Sequence, residues 1–206
     1  MTQTLKIHGF PLSGHSHRVE LFANLADLAH EMVLVDLAAG EQKQGPFLSL
    51  NPFGQVPVLE DGETVLTDSN AILTYLARKY APTWYPEDPI VAAQIQRFLS
   101  LAAGEVNYGS ATARLINVFG AGLDKARAAD VAAWAHERLE AHLVGRDWLV
   151  GDQPTIADVA LYTYTAHAPE GDVDLAPYIN VRAWLARIEA LPGFKAMQQT
   201  KVGLVA

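Results

Sequence analysis

FGQVPVLED, residues 53–61, reads as a short strand with a proline at its entrance. Val56, Val58 and Leu59 are apolar, yet Pro57 lacks the N–H that a β-ladder needs. Within sheets proline is therefore confined to an edge, a strand start or a bulge. Read alone, the segment is an edge strand over 57–60 opened by an ordinary trans-proline. Asp61-Gly-Glu63 follows, with glycine where positive φ costs least, and Thr64–Leu66 is again strand-like. The two strands and their turn predict a hairpin.

On the N-terminal side, Leu5–His8 and Met32–Val35 read as strands. Between them Ser16–Ala29 has helical period, with Val19, Phe22, Leu25, Ala26 and Ala29 on one face. Phe47–Leu50 makes one or two helical turns. Asp68–Tyr80 is a further helix, aligned on Ile72, Leu73, Leu76 and Tyr80. The order βαβ–α–ββα places helices against a small mixed sheet.

Pro82, Pro86 and Pro89 then interrupt the pattern, and strand signals largely stop. Val91, Ile95, Phe98, Leu99, Ala102 and Val106 predict a long helix, bent near Gly104 or Gly109. Val131, Trp134, Leu139 and Leu143 predict another. Thr155-Ile-Ala-Asp158 has the form of a capping box before a helix through Tyr164. Val181, Trp184, Leu185 and Ile188 continue the pattern to Leu191-Pro-Gly193. The expected division is an α/β domain over residues 1–80, a linker over 81–89 and an all-helical domain over 90–206.

Composition narrows the chemistry. The net charge of −8 argues against nucleic acid or an anionic membrane as partner, because both favour a basic face. The chain has no cysteine, which excludes disulfides, thiolate metal sites and a cysteine nucleophile. The N-terminus lacks a signal-peptide pattern and no run is long enough to span a membrane, so a cytoplasmic protein is expected. Three tempting motifs fail. His15 and His17 stand two apart and do not share a helix face. His136-Glu137 and His142 lack the spacing of a zinc-protease motif. Gly120-Ala-Gly122 reads as a turn between helices. No metal site is expected.

Leu50–Asp61 (LNPFGQVPVLED), Leu66–Leu73 (LTDSNAIL) and Gly151–Asp158 (GDQPTIAD) together resemble the glutathione S-transferase family over essentially the whole chain. The nearest flavour is that of phi-, nu- or related bacterial serine-type enzymes. The resemblance implies a thioredoxin-like N-terminal domain, an all-α C-terminal domain and a homodimer. It implies glutathione as co-substrate, a cis bond before Pro57, and pairing of the Val56 N–H and C=O with the cysteinyl backbone as an added strand.

The other handles of glutathione find candidates in the same layout. Ser69, opening the third helix, offers a hydroxyl, a backbone N–H and the helix dipole to the γ-glutamyl carboxylate. Asp68 is placed to pair with the α-ammonium, although the family more often has Glu there, longer by about 1.5 Å; it also reads as a helix N-cap. Lys43, with Gln42 beside it, matches the loop cation for the glycyl carboxylate. Gln55 is a further backbone-binding candidate.

For the thiol, lowering a pKa by two units takes about 2.7 kcal/mol. One charge-assisted hydrogen bond supplies about 1.5–3 kcal/mol, and a helix N-terminus about 0.3–1 kcal/mol. A single hydroxyl is therefore sufficient. Ser13 has the family's spacing, six residues before Val19. Ser16 is the second candidate and is expected to be the helix N-cap. Phe10, Leu12, His15, Tyr108 and Arg114 are candidate linings of a pocket for a hydrophobic electrophile. The expected reaction is transfer of glutathione to that electrophile. Reduction of a peroxide or disulfide, and a non-catalytic ligand-binding module of the same fold, are the alternatives.

Overall fold

The computed structural model describes residues 4–201. Strands β1 (Leu5–Gly9), β2 (His30–Leu34), β3 (Val58–Asp61) and β4 (Thr64–Thr67) form one sheet in the order β2-β1-β3-β4. β1 runs parallel to β2 and antiparallel to β3, with Ile7 opposite Leu59. The expected hairpin is the β3–β4 pair, with Leu59 opposite Leu66. Successive strand side chains face opposite ways. Leu59 thus joins Leu5 and Ile7 under helices α1 (Gly14–Leu25) and α3 (Ser69–Tyr80), while Val58 packs on Phe47 of the short α2 (Gly45–Leu50). This is the thioredoxin-like arrangement, followed by α4 (Pro89–Ala103), α5 (Thr112–Phe119), α6 (Lys125–His142), α7 (Ile156–Ala166) and α8 (Ile179–Glu189).

One hydrophobic cluster runs through both parts. Val19, Phe22, Ile72 and Leu76 belong to it, as do Ile95, Phe98, Leu161 and the fully buried Trp184. Helix α1 is buried on nearly every side because α3 and α7 both pack on it. The proline-rich stretch after α3 is also docked. Trp84 meets Phe22 edge to face with ring centroids 5.5 Å apart, and the Arg78 guanidinium lies 4.4 Å above the Tyr85 ring.

The long helix expected after residue 90 is two helices. α4 stops at Gly104, whose φ −92° and ψ −104° leave the helical region. A wide turn over Asn107–Ala111 leads into α5. Gly109 permits that turn to touch α6, since a Cβ there would lie 2.7 Å from the Ala132 Cα. The two candidate bend sites thus have separate jobs, a break and a close approach. No helix among the described residues is long and apolar enough to cross a membrane.

At the far end of β3, one oxygen of Asp61 receives Tyr80 Oη at 2.6 Å, Lys79 Nζ at 2.7 Å and Tyr75 Oη at 2.8 Å. Burial alone would raise this carboxyl, but the bonds from Lys79, Tyr80 and Tyr75 outweigh it and hold the pKa below its ordinary value. A depressed carboxylate stabilises the fold fully above its unfolded pKa, and that contribution is lost as pH falls through the folded value. Asp61→Asn is therefore expected to cost about 1–2 kcal/mol at pH 7 and to converge with the parent in acid below the folded pKa. Thermal unfolding across pH measures this. A gap that stayed constant into strong acid would show that ionisation of Asp61 contributes nothing.

Candidate active site

The loop leaving β1 sets the first wall of the site. Ser13, with φ −86° and ψ 115°, is the N-cap of α1, and its Oγ accepts the Ser16 N–H at 3.3 Å. The expectation that Ser16 caps this helix is therefore corrected. Ser16 lies inside the first turn, 1% exposed, and its Oγ accepts the Phe10 N–H at 3.2 Å. The helix begins earlier than apolar periodicity suggests because its first residue is Gly14, which carries no side chain to register. A Cβ at Gly14 would sit 2.6 Å from the Tyr164 ring of α7. Having accepted a backbone N–H, the Ser13 hydroxyl keeps its own proton to donate. It does so at the positive end of a helix dipole.

Ser13 opens onto a cavity of about 710 Å³ between the sheet side and the helices, within the range of small-molecule sites. Val56, Pro57, Asp68 and Ser69 line the same cavity. The Val56–Pro57 peptide is cis. Among the described residues, the N–H and C=O of Val56 make no hydrogen bond. Asn51, 2% exposed, supports this loop from beneath: its Nδ2 donates to the Gln55 carbonyl at 2.7 Å and its Oδ1 accepts the Phe53 N–H at 3.1 Å. Gln55 itself is exposed on the cavity wall.

The N-terminus of α3 forms the adjoining corner. Asp68 caps it through one oxygen, Oδ1, which accepts the N–H groups of Asn70 and Ala71 at 2.9 Å each. Its φ is +69°, a left-handed value rare outside glycine. Next to it, the buried Ser69 Oγ accepts Arg18 Nη1 at 2.8 Å. Arg18 is 1% exposed and forms no ion pair with a carboxylate among the described residues. Burial lowers its pKa to about 10, so it remains a cation at neutral pH behind Ser69. Because Arg18 only donates, His15 Nδ1, 3.3 Å from Nη1, is an acceptor, and the ring proton lies on Nε2. Burial and then the Arg18 charge push the His15 pKa down to about 3. His15 is thus a neutral residue of the cavity wall.

The opposite side is largely apolar. Phe10 and Leu12 face Ala111, Leu115 and Phe119 across the cavity. Arg114 also lines it, 2% exposed, with Nη1 donating to the Leu12 carbonyl at 2.8 Å and Nε paired with Glu170 at 2.5 Å. Tyr108 does not line the cavity and is 66% exposed, which corrects its placement there. The wide turn brings Asn107 and Ala111 onto the wall and turns Tyr108 to solvent. Gln42 lines the cavity, whereas Lys43 sits outside it, with Nζ on the Phe53 carbonyl at 3.2 Å. His17 points elsewhere, to Thr163 and the Lys195 carbonyl. Sequence reasoning missed Asn51, Arg18, Asn107 and Tyr164. Only Asn51, inside the quoted loop motif, carried a readable signal.

Residues 3–78 match the family model of the glutathione S-transferase N-terminal domain, and residues 126–192 that of the C-terminal domain. Glutathione S-transferase 3 of Zea mays is 34% identical, with 93% of this chain and 91% of its own covered. Glutathione S-transferase D7 of Drosophila melanogaster is 28% identical, with 96% and 92% covered. The crystal structure of glutathione S-transferase from Pseudomonas fluorescens superposes with TM-score 0.90 at 31% identity, covering 96% of this chain and 100% of that one. A glutathione transferase homologue from Drosophila mojavensis, crystallised with bound glutathione, gives TM-score 0.84 at 29% identity over 92% and 89%.

Proposed function

The chain belongs to the glutathione S-transferase family, and from that premise we propose a serine-type transferase in which Ser13 stabilises the glutathione thiolate for attack on a small hydrophobic electrophile. Family membership carries the enzyme activity and the use of glutathione. The roles of individual residues rest on this chain's own geometry. The observation that carries the reading is the convergence on one cavity of a helix-capping hydroxyl, the unpaired backbone of Val56 and the start of α3.

In this reading glutathione brings the sulfur, since the chain has no cysteine. Its cysteinyl main chain pairs with Val56 as an added strand. Its γ-glutamyl carboxylate meets Ser69, with the Arg18 cation behind, and its ammonium meets the Asp68 oxygen that capping leaves unused. The glycyl carboxylate approaches Gln42 and draws Lys43 from the Phe53 carbonyl. The thiol then lies over Ser13 and releases its proton to solvent, while Ser13 donates a hydrogen bond to the thiolate and stays protonated, so no triad is required. Sulfur attacks an electrophilic carbon, the new C–S bond forms, and the leaving group departs with its electron pair. Phe10, Leu12, Leu115 and Phe119 offer the apolar surface for that partner.

Calorimetric titration with reduced and then oxidised glutathione tests the reading. Binding of the reduced form, with thiolate absorbance appearing near neutral pH, is the expected result. Tighter binding of the oxidised form would replace it by disulfide reduction. Binding of neither would leave a ligand-binding module of the same fold.

A further inference from the structure

The peptide plane that precedes Ser13 is held at both ends. Its N–H, on Ser13, donates to the Phe10 carbonyl at 2.9 Å. Its C=O, on Leu12, accepts Arg114 Nη1 at 2.8 Å from the other part of the molecule, 102 residues away in sequence. Arg114 is itself fixed. Nε pairs with Glu170 Oε2, and Glu170 Oε1 receives His167 Nδ1 at 2.9 Å and the Thr200 N–H at 3.1 Å. Both members of the pair are more than nine-tenths buried, Arg114 at 2% and Glu170 at 8% exposure. This is more construction than docking of two domains needs, and it ends one bond from the residue proposed to act on sulfur.

We propose that the Arg114–Glu170 pair is the positioning device for the Ser13 hydroxyl, acting through the Leu12 carbonyl. The proposal rests on the assignment of Ser13 as thiolate donor. φ of Ser13 is a rotation relative to that peptide plane, so fixing the plane fixes where Cα and Oγ stand. The Ser16 N–H then sets the rotamer, leaving the hydroxyl proton directed into the cavity. A guanidinium suits the task because its fork is planar and rigid, so one donor set by Glu170 determines where the other points. A lysine ammonium has no such fork. Small errors at this point are costly, since about 1 Å of misplacement in a catalytic group can lose about a hundredfold in rate.

The alternative is that the pair only joins the two parts of the fold. A cycle of Arg114→Lys and Ser13→Ala with their double variant separates the two, read by thiolate absorbance of bound glutathione against pH and by thermal unfolding. Acting through Ser13, Arg114→Lys raises the bound thiol's pKa by about one unit and lowers the rate below that pKa about tenfold. Glutathione affinity, measured below the parent's bound-thiol pKa, changes less than about twofold, and Arg114→Lys adds nothing to Ser13→Ala. An equal shift in both backgrounds, or a lowered unfolding midpoint with an unmoved titration, overturns the proposal. Glu170→Gln, which leaves the Arg114–Leu12 bond in place but frees the fork, is expected to give a smaller shift of the same sign. It carries the test if Arg114→Lys fails to fold. If the parent titrates as Ser13→Ala does, the serine assignment falls first, and the positioning role with it.

Discussion

Ser13→Ala is expected to raise the pKa of enzyme-bound glutathione by about 1–2 units while changing its affinity, measured below the parent's bound-thiol pKa, by less than about twofold. The size follows from removing one charge-assisted hydrogen bond of about 1.5–3 kcal/mol at about 1.4 kcal/mol per unit. Affinity is spared because the backbone of Val56 and the α3 corner are untouched. Conjugation below neutral pH should fall about 10–100-fold and recover toward the parent in alkali, where thiolate forms unaided. Ultraviolet titration of the bound thiolate and the pH–rate profile measure the same shift independently. An unmoved titration would remove Ser13 from the mechanism.

Ser13 also caps α1, so the alanine variant should lose about 1 kcal/mol of stability. Ser13→Asp separates the two roles. A carboxylate still accepts the Ser16 N–H and suits the helix dipole, so stability should return. It cannot donate a hydrogen bond when ionised, and it repels a thiolate, so activity should fall below that of the alanine variant. His15 does not replace the serine. Burial keeps His15 neutral with a pKa of about 3. The Arg18 donor Nη1 is committed to Ser69, Asn70 and His15.

The residues legible in advance are those whose signal is local. Pro57 announced an unusual strand entrance, the Asp61–Glu63 turn announced a hairpin, and Thr155 to Asp158 announced a helix start, each within a few residues. What escaped depends on contacts between distant segments. Arg18 reads in sequence as one more charge on a helix, and only the covering of α1 by α3 and α7 buries it. Arg114 and Glu170 lie 56 residues apart with no pattern linking them. Tyr108 and Arg114 were both expected on one long helix lining the cavity, but the break at Gly104 and the wide turn over Asn107–Ala111 leave Tyr108 facing solvent while Arg114 keeps its place on the wall. The start of α1 was misjudged because Gly14 is defined by the ring of Tyr164, 150 residues away.

Asp158→Ala should be the most destabilising single substitution, at about 3–5 kcal/mol. Its buried carboxylate accepts four donors. Oδ1 takes the Leu149 N–H at 3.0 Å and Trp184 Nε1 at 2.9 Å, and Oδ2 takes the Thr155 N–H at 2.8 Å and Thr155 Oγ1 at 3.2 Å. It therefore joins the loop before α7, the start of α7 and the central tryptophan of α8. Alanine strands these donors in the core and opens a cavity beside Trp184. For a chain of this length the unfolding midpoint should drop by about 10 °C. Asp158→Asn should cost less, because its carbonyl still serves two donors while its amide nitrogen faces the other two.

The two aspartates should differ in pH dependence. Burial raises the Asp158 pKa despite its donors, so ionisation makes its contribution less favourable as pH rises through the folded value. Acid unfolding should consequently follow carboxylates whose pKa is depressed, among them Asp61, Glu140 and Glu170, and not Asp158. Asp158 does not line the cavity. Its variants should keep the rate per folded molecule at low temperature, the reverse of Ser13→Ala, which loses rate with a small loss of stability. Denaturant unfolding combined with active-site titration resolves the two patterns. A loss of unfolding free energy of less than about 1 kcal/mol would mean that water or a rearranged loop satisfies the four donors.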